Sequence, residues 1–152
     1  MSLNSNISLP GLKDAIVTKS FEIDGIYQLH FEMPKKPHVC PSCGTITDRV
    51  HDYRTQKIQH SRIFSRQTTL FYRKRRYVCV NKDCQKRFYE NNSIVERYQR
   101  QSVECKQAIG IELIQGKNFK DVASRFDTSP TTVIRRFDQI SASMLQETRQ
   151  FT

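Results

Sequence analysis

Apolar and polar positions along this chain change period once. Ala15–Ile23 and Ile26–Met33 alternate in the manner of strands, and Asp24-Gly25 between them suits a two-residue hairpin turn because both residues tolerate positive φ. Leu9–Asp14 reads as a short helical turn, and Pro34–Pro37 breaks the first strand pair. Asp48–Gln56 and Gln67–Val78 again read as strands. Glu90–Gln101 turns polar, with Asn91, Asn92 and Ser93 together, and beyond it the apolar spacing becomes helical. Ser102–Gln115 predicts a helix stopped by Gly116. Asn118 caps a second helix, with Phe119, Val122, Ala123 and Phe126 on one stripe. After the Asp127-Thr128 turn, Ser129-Pro130 is a start signal for a third. That helix carries Val133, Phe137, Ile140 and Met144 on its apolar face. The expected class is α+β, with a β domain over residues 1–95 and a three-helix domain over 96–152.

Composition adds a partner to this outline. The chain has 152 residues with 25 Lys and Arg against 15 Asp and Glu, a formal net charge of +10. The cations are clustered, which points to an anionic partner rather than to solubility alone. No apolar run approaches membrane-spanning length, and Met1–Pro10 lacks the apolar core of a secretory signal. Met1–Leu3 is set aside as an expression remnant. The expected compartment is the cytoplasm, where reduced thiols favour metal ligation over disulfides.

Four of the five cysteines carry that chemistry. Cys40 and Cys43 form a C-x2-C, and Cys79 and Cys84 a C-x4-C. Each spacing lets a tight turn aim two thiolates at one ion, and a strand hairpin closed by two such knuckles is a zinc ribbon. One structural Zn2+ is expected, with Fe2+ an alternative occupant. Its four thiolates leave a net −2 charge, which Arg76, Lys82, Lys86 and Arg87 can offset. A redox C-x-x-C fits less well, because no βαβ pattern surrounds it. His38, His51 and His60 are alternative ligands, but are read as surface or phosphate-contacting residues. Cys105, on the first helix, is read as a small buried hydrophobe.

The second and third helices have helix-turn-helix spacing. With Val133 at the centre of the buried face, about 100° per residue places Thr131 and Arg135 nearly opposite it, flanked by Thr132 and Gln139. Arg136 lies nearer the core edge, within reach of a phosphate. Arg135 is suited to guanine and the threonines to thymine methyls or phosphates. Arg54, Lys57, the Arg73, Lys74, Arg75, Arg76 run and Arg87 are expected to grip phosphates from the ribbon. The plainer alternative is a three-helix packing unit with no groove contact.

Taken together, His51-Asp52-Tyr53-Arg54, Arg73 through Cys79, Cys84 through Glu90 and Cys40-Pro41-Ser42-Cys43-Gly44 resemble the zinc-binding region of bacterial insertion-sequence transposases of the ISL-three family. Val122-Ala123 through Ser129-Pro130-Thr131-Thr132-Val133 resembles that family's helix-turn-helix. The resemblance implies binding of double-stranded DNA at terminal inverted repeats, in the bacterial nucleoid. It also implies a catalytic DDE domain in cis, for which no room follows the helix-turn-helix before Thr152, so no strand cleavage is expected of this chain alone. A free-standing transcription regulator and a protein-interaction adaptor are the other readings. Ile140, Met144 and Leu145 allow a homodimer, or packing against the catalytic domain. A zinc hydrolase fits least, because four thiolates leave no open position for water.

Overall fold

The computed structural model describes Leu9 and residues 11–150; of the polar leader Met1–Pro10, only Leu9 lies within the described residues. β1 (Ile16–Ile23) and β2 (Ile26–Glu32) form an antiparallel pair whose turn, Asp24-Gly25, has φ of +52° and +77°. β3 (His38–Val39) and β4 (Ile46–Thr47) make a small separate ribbon. β5 (Val50–Ile63) and β6 (Arg66–Val78) form a long hairpin, and β7 (Arg87–Tyr89) returns beside the end of β6. The strand order is β1-β2-β6-β5, with β2 parallel to β6 and β7 paired to β6 at residues 76–78. α1 (Val103–Ile114), α2 (Phe119–Arg125) and α3 (Pro130–Gln150) follow. The expected α+β class is what the structure has.

Two local expectations change. β5 runs seven residues beyond Gln56, to Ile63. Its turn, Phe64-Ser65, holds both residues at positive φ, +53° and +61°, without a glycine to announce it. Leu9–Asp14 is not helical: Gly11 and Asp14 lie at φ +73° and +65°, and successive turns are closed by Leu12 N–H to the Leu9 carbonyl and Ala15 N–H to the Leu12 carbonyl, both 3.1 Å.

The hairpin buries opposite faces at its two ends. Thr68, Leu70 and Tyr72 are buried near the turn, but Arg75, Tyr77 and Cys79 are buried near the knuckles. β6 keeps an unbroken register with β5 from Thr68 to Arg76, so the change from even to odd numbers is a change of face. On the first face Leu29, Phe31, Ile58, Leu70 and Tyr72 pack with Leu12, Ile94 and Val95. Asn92 Oδ1 accepts the Ile94 and Val95 N–H groups at 3.0 and 2.9 Å, a turn that drives both side chains into the core. On the second face Tyr77 packs against His38 and Phe88, with centroids 4.5 and 6.0 Å away. Glu90 joins the two cores. Its Oε1 accepts from the Tyr72 hydroxyl at 2.7 Å and the Arg75 N–H at 3.2 Å, and its Oε2 lies 3.5 Å from the Arg75 guanidinium.

The helices form their own core of Cys105, Ile109, Leu113, Val122, Ala123 and Val133. Ser102, Asn118 and Ser129 cap α1, α2 and α3 through Oγ, Oδ1 and Oγ, the last two as expected. Gly110 admits α3 closely: a Cβ there would stand 2.9 Å from Ile140 Cδ1. The sheet edge meets this core directly. Gln59 N–H donates to the Arg100 carbonyl at 2.8 Å, and Ser102 N–H returns to the Gln59 carbonyl at 2.9 Å, so residues 100–102 add to β5. His60 is therefore not at the surface. It is buried, with Nδ1 2.6 Å from Ser102 Oγ and Nε2 3.8 Å from Glu104.

Glu90→Ala removes the carboxylate facing a buried arginine, a change that costs about 3 kcal/mol. Tyr72→Phe, which loses one hydrogen bond to that carboxylate, costs about 1.5–2 kcal/mol. Urea unfolding of the two variants checks this ordering, and equal losses would contradict it.

Candidate metal centre and nucleic-acid interface

The two knuckles share one design. In the first, Cys40 N–H donates to the Thr45 carbonyl at 2.9 Å and Gly44 N–H to the Cys40 carbonyl at 3.0 Å, with Gly44 at φ +78°. In the second, Cys79 N–H donates to the Lys86 carbonyl at 2.9 Å, and Cys84 and Gln85 N–H both reach the Asn81 carbonyl. Gln85, following the last cysteine as Gly44 does, is also left-handed, at φ +52°. Thr47 Oγ1 donates to the Val78 carbonyl at 2.8 Å and so binds one knuckle to the other.

All four Sγ atoms lie within 4.8 Å of one another, with Cys40–Cys84 at 3.8 Å and Cys43–Cys79 at 3.4 Å. A tetrahedron with Zn–S near 2.3 Å has sulfur edges of about 3.8 Å, so the set fits one structural zinc with no open position. Cys43 is drawn down to about 6, first by its hydrogen bond with Thr45, and Cys40 is also lowered, first by the Cys43 backbone N–H. Burial pushes Cys79 up to about 11, so zinc must displace its proton. Lys82, Lys86 and Arg87 are exposed around the second knuckle. No histidine joins the four sulfurs among the described residues: His38 Nδ1 sits 2.9 Å from the Lys36 carbonyl, and His51 is exposed.

The α2–α3 turn is held from the sheet. Asp127 takes φ +56°, and Thr128 N–H donates to the Ala123 carbonyl at 3.1 Å. Gln59 Nε2 donates to the Phe126 and Asp127 carbonyls at 2.8 and 2.7 Å. Arg62 clasps the Asp127 carboxylate with Nε and Nη2 at 3.1 and 2.6 Å. On α3 itself Thr131, Arg135 and Gln139 are exposed beside Ile134 and Asp138, while Thr132 is half-buried against Ser129. Arg136 turns inward instead of reaching outward. It is 7% exposed, and its Nε and Nη2 donate to Gln101 Oε1 at 3.0 and 2.7 Å. Gln101 Nε2 in turn donates to Gln59 Oε1 at 3.2 Å. One chain of amides and guanidinium thus joins β5, the turn and α3.

The run Arg73–Arg76 is not a free stripe. Alternation sends Arg73 and Arg75 to one face and Lys74 and Arg76 to the other, and each meets a partner. Arg73 donates to Glu32 at 2.8 Å and lies 3.8 Å over the Tyr53 ring. Lys74 donates to Gln56 at 3.1 Å beside the Tyr89 ring, and burial lowers its pKa from the usual lysine value. Arg75 is buried between Glu90, Glu32 and the Met33 carbonyl. Arg76 clasps Asp52, whose carboxyl it holds below the usual range. Of the other ribbon cations, Arg54, Lys57 and Arg87 are exposed. Gln59, Arg62 and Gln101, which place α3, stand in no motif; only the strand alternation around Ile58 could have directed attention to them.

A closed four-thiolate ribbon joined to a helix-turn-helix defines a zinc-stapled DNA-binding protein. Residues 36–84 match the family described as the zinc-finger of transposase IS204/IS1001/IS1096/IS1165, and residues 90–141 match the helix-turn-helix domain of transposase family ISL3. The chain belongs to the ISL3 transposases and corresponds to their N-terminal, DNA-binding region. No curated protein and no solved structure matches it. No helix among the described residues is long and apolar enough to cross a membrane.

Zinc assay on the purified chain should return one ion per chain, lost as acid reprotonates the thiolates. Chelation should make the knuckle thiols reactive as their turns loosen, Cys43 first, while Cys105, buried in the helical core away from the metal, stays inert until unfolding. Fast labelling of Cys105 in the zinc-loaded protein would contradict this placement.

Proposed function

We propose that this chain recognises the terminal inverted repeats of a mobile element, with α3 reading bases in the major groove and the ribbon holding phosphates. The observation that carries the reading is the division of α3. Thr131, Arg135 and Gln139 face solvent, while Arg136 is anchored inward to the sheet. A recognition helix needs this arrangement, since its first turns touch base edges only if its rear face is fixed. Thr132, half-buried against Ser129, offers its hydroxyl to the phosphate backbone beside that face. Arg54, Lys57 and Arg87 supply exposed charge for phosphates, and Arg73, Lys74, Arg75 and Arg76 hold the sheet that presents them.

Strand cleavage falls to a DDE domain joined in cis, and the zinc site takes no part in it. The site of action is the cytoplasm, at the nucleoid. The far end of α3 exposes Met144 and Leu145, a surface suited to a second copy on the paired element end.

Selection of bound duplexes from a random library, at about 0.15 M salt to screen purely electrostatic binding, tests the reading. One enriched motif, matching inverted repeats that flank the gene, is the expected result. Arg135→Ala should weaken that duplex by about 1–3 kcal/mol and leave non-specific binding nearly unchanged. Binding that falls with salt but selects no motif would sink the proposal, and a promoter motif would replace it with a regulator.

A further inference from the structure

Two recesses meet at Gln56 of β5, beside the segment that precedes α1. One, of about 610 Å3, opens between the zinc knuckles and the segment that follows β7, and its lining includes Lys74, Lys86, Arg87, Tyr89, Arg97 and Tyr98. The other, of about 580 Å3, is lined by Gln56, Lys57, Gln59, Tyr98, Gln99 and Arg100. Gln56 and Tyr98 border both, so the two form one trough. Its far end is defined by Gln59, the residue whose amide holds the Phe126 and Asp127 carbonyls of the helix-turn-helix turn. The trough therefore begins at the recognition unit and ends at the zinc ribbon.

Its charge is one-sided. Lys57, Lys86, Arg87, Arg97 and Arg100 are exposed, and none is in an ion pair among the described residues. Of the acidic lining, Glu90 is buried against Tyr72 and Arg75, and Glu96 lies 3.5 Å from Lys106, so the exposed cations outnumber the acids. Tyr98 stands at the junction, 85% exposed and at φ +62°. An aromatic residue in the left-handed region is uncommon and marks a segment held by its surroundings. Here Gln56 Nε2 fixes the loop through the Gln99 carbonyl at 2.9 Å. Arg97 lies 4.8 Å from the Tyr98 ring centroid, so a cation backs the ring.

A lane of unpaired cations, with the Tyr98 ring projecting at its middle, matches a sugar–phosphate chain. We propose that the trough carries the backbone of a DNA strand running on from the recognition-helix site to the zinc knuckle, with Tyr98 packed against a sugar midway. The inference rests on the reading of α3 as a base reader. It assigns DNA contacts to Lys86, Arg97, Tyr98 and Arg100, and it gives the ribbon its place on the duplex.

The test compares two duplexes carrying the selected motif, one ending at the motif and one extended by about a helical turn on either side. The wild type should bind the extended duplex more tightly and with a steeper salt dependence, since each added phosphate contact contributes about 0.9 to the slope. Lys86→Ala/Arg87→Ala/Arg97→Ala should lower that slope by about three units on the extended duplex, leave the short one unchanged and keep the base preference. Arg97→Ala/Arg100→Ala, away from the metal knuckle, should lower it by about two units even if the triple variant loses zinc. Variants matching the wild type on both duplexes, with base preference intact, would overturn the trough alone. A wild type with no base preference on either duplex would overturn the helix-turn-helix reading, and the continuity claimed here with it.

Discussion

The β5–β6 hairpin is the member on which every other element depends. Its length lets one pair of strands bury one face near the turn and the opposite face near the knuckles. Leu12, Ile94 and Val95 cover the first face, and His38 and Phe88 cover the second. β2 and β7 share one edge of β6, and the other edge of β5 is taken by residues 100–102, which lead into α1. A ribbon with a single knuckle-sized core would be marginal alone, because so little apolar area leaves water. Here the metal staples one end while an apolar core and the helices close the other.

The second constraint is polar. Gln59 reaches the carbonyls of the helix-turn-helix turn and, through Gln101, the guanidinium of Arg136. Buried amides are costly unless satisfied, so this chain favours one angle between sheet and α3 rather than a range. Arg62 adds a bidentate clasp on Asp127 from the same strand. The segment between sheet and helices is thus no free tether. Under the proposed reading, the exposed face of α3 and the ribbon cations meet DNA at a set distance, which lowers the ordering cost of using both.

Signals that lie close together in the chain were legible in the sequence. The Asp24-Gly25 turn, the serine and asparagine caps, Pro130 at a helix start and the paired cysteines each state their geometry within a few residues. Features that depend on distant partners were not. Arg73–Arg76 reads as a run of free charge until Glu32, Asp52 and Glu90, each on another element, pair with three of its side chains. His60 reads as a surface histidine because Ser102 is 42 positions away. Arg136 reads as a core-edge cation because nothing near it reveals Gln101. The full length of β5 was hidden by a turn of Phe64-Ser65, whose left-handed residues are neither glycine nor asparagine.

Amide 15N relaxation of the zinc-loaded chain tests most directly whether ribbon and helix-turn-helix form one DNA-reading body. A single rotational correlation time shared by β6 and α3 is the predicted result, with Gln59→Ala/Gln101→Ala loosening the α2–α3 turn without detaching the helices. A shorter time for the helices than for the sheet in the unmodified chain would contradict it.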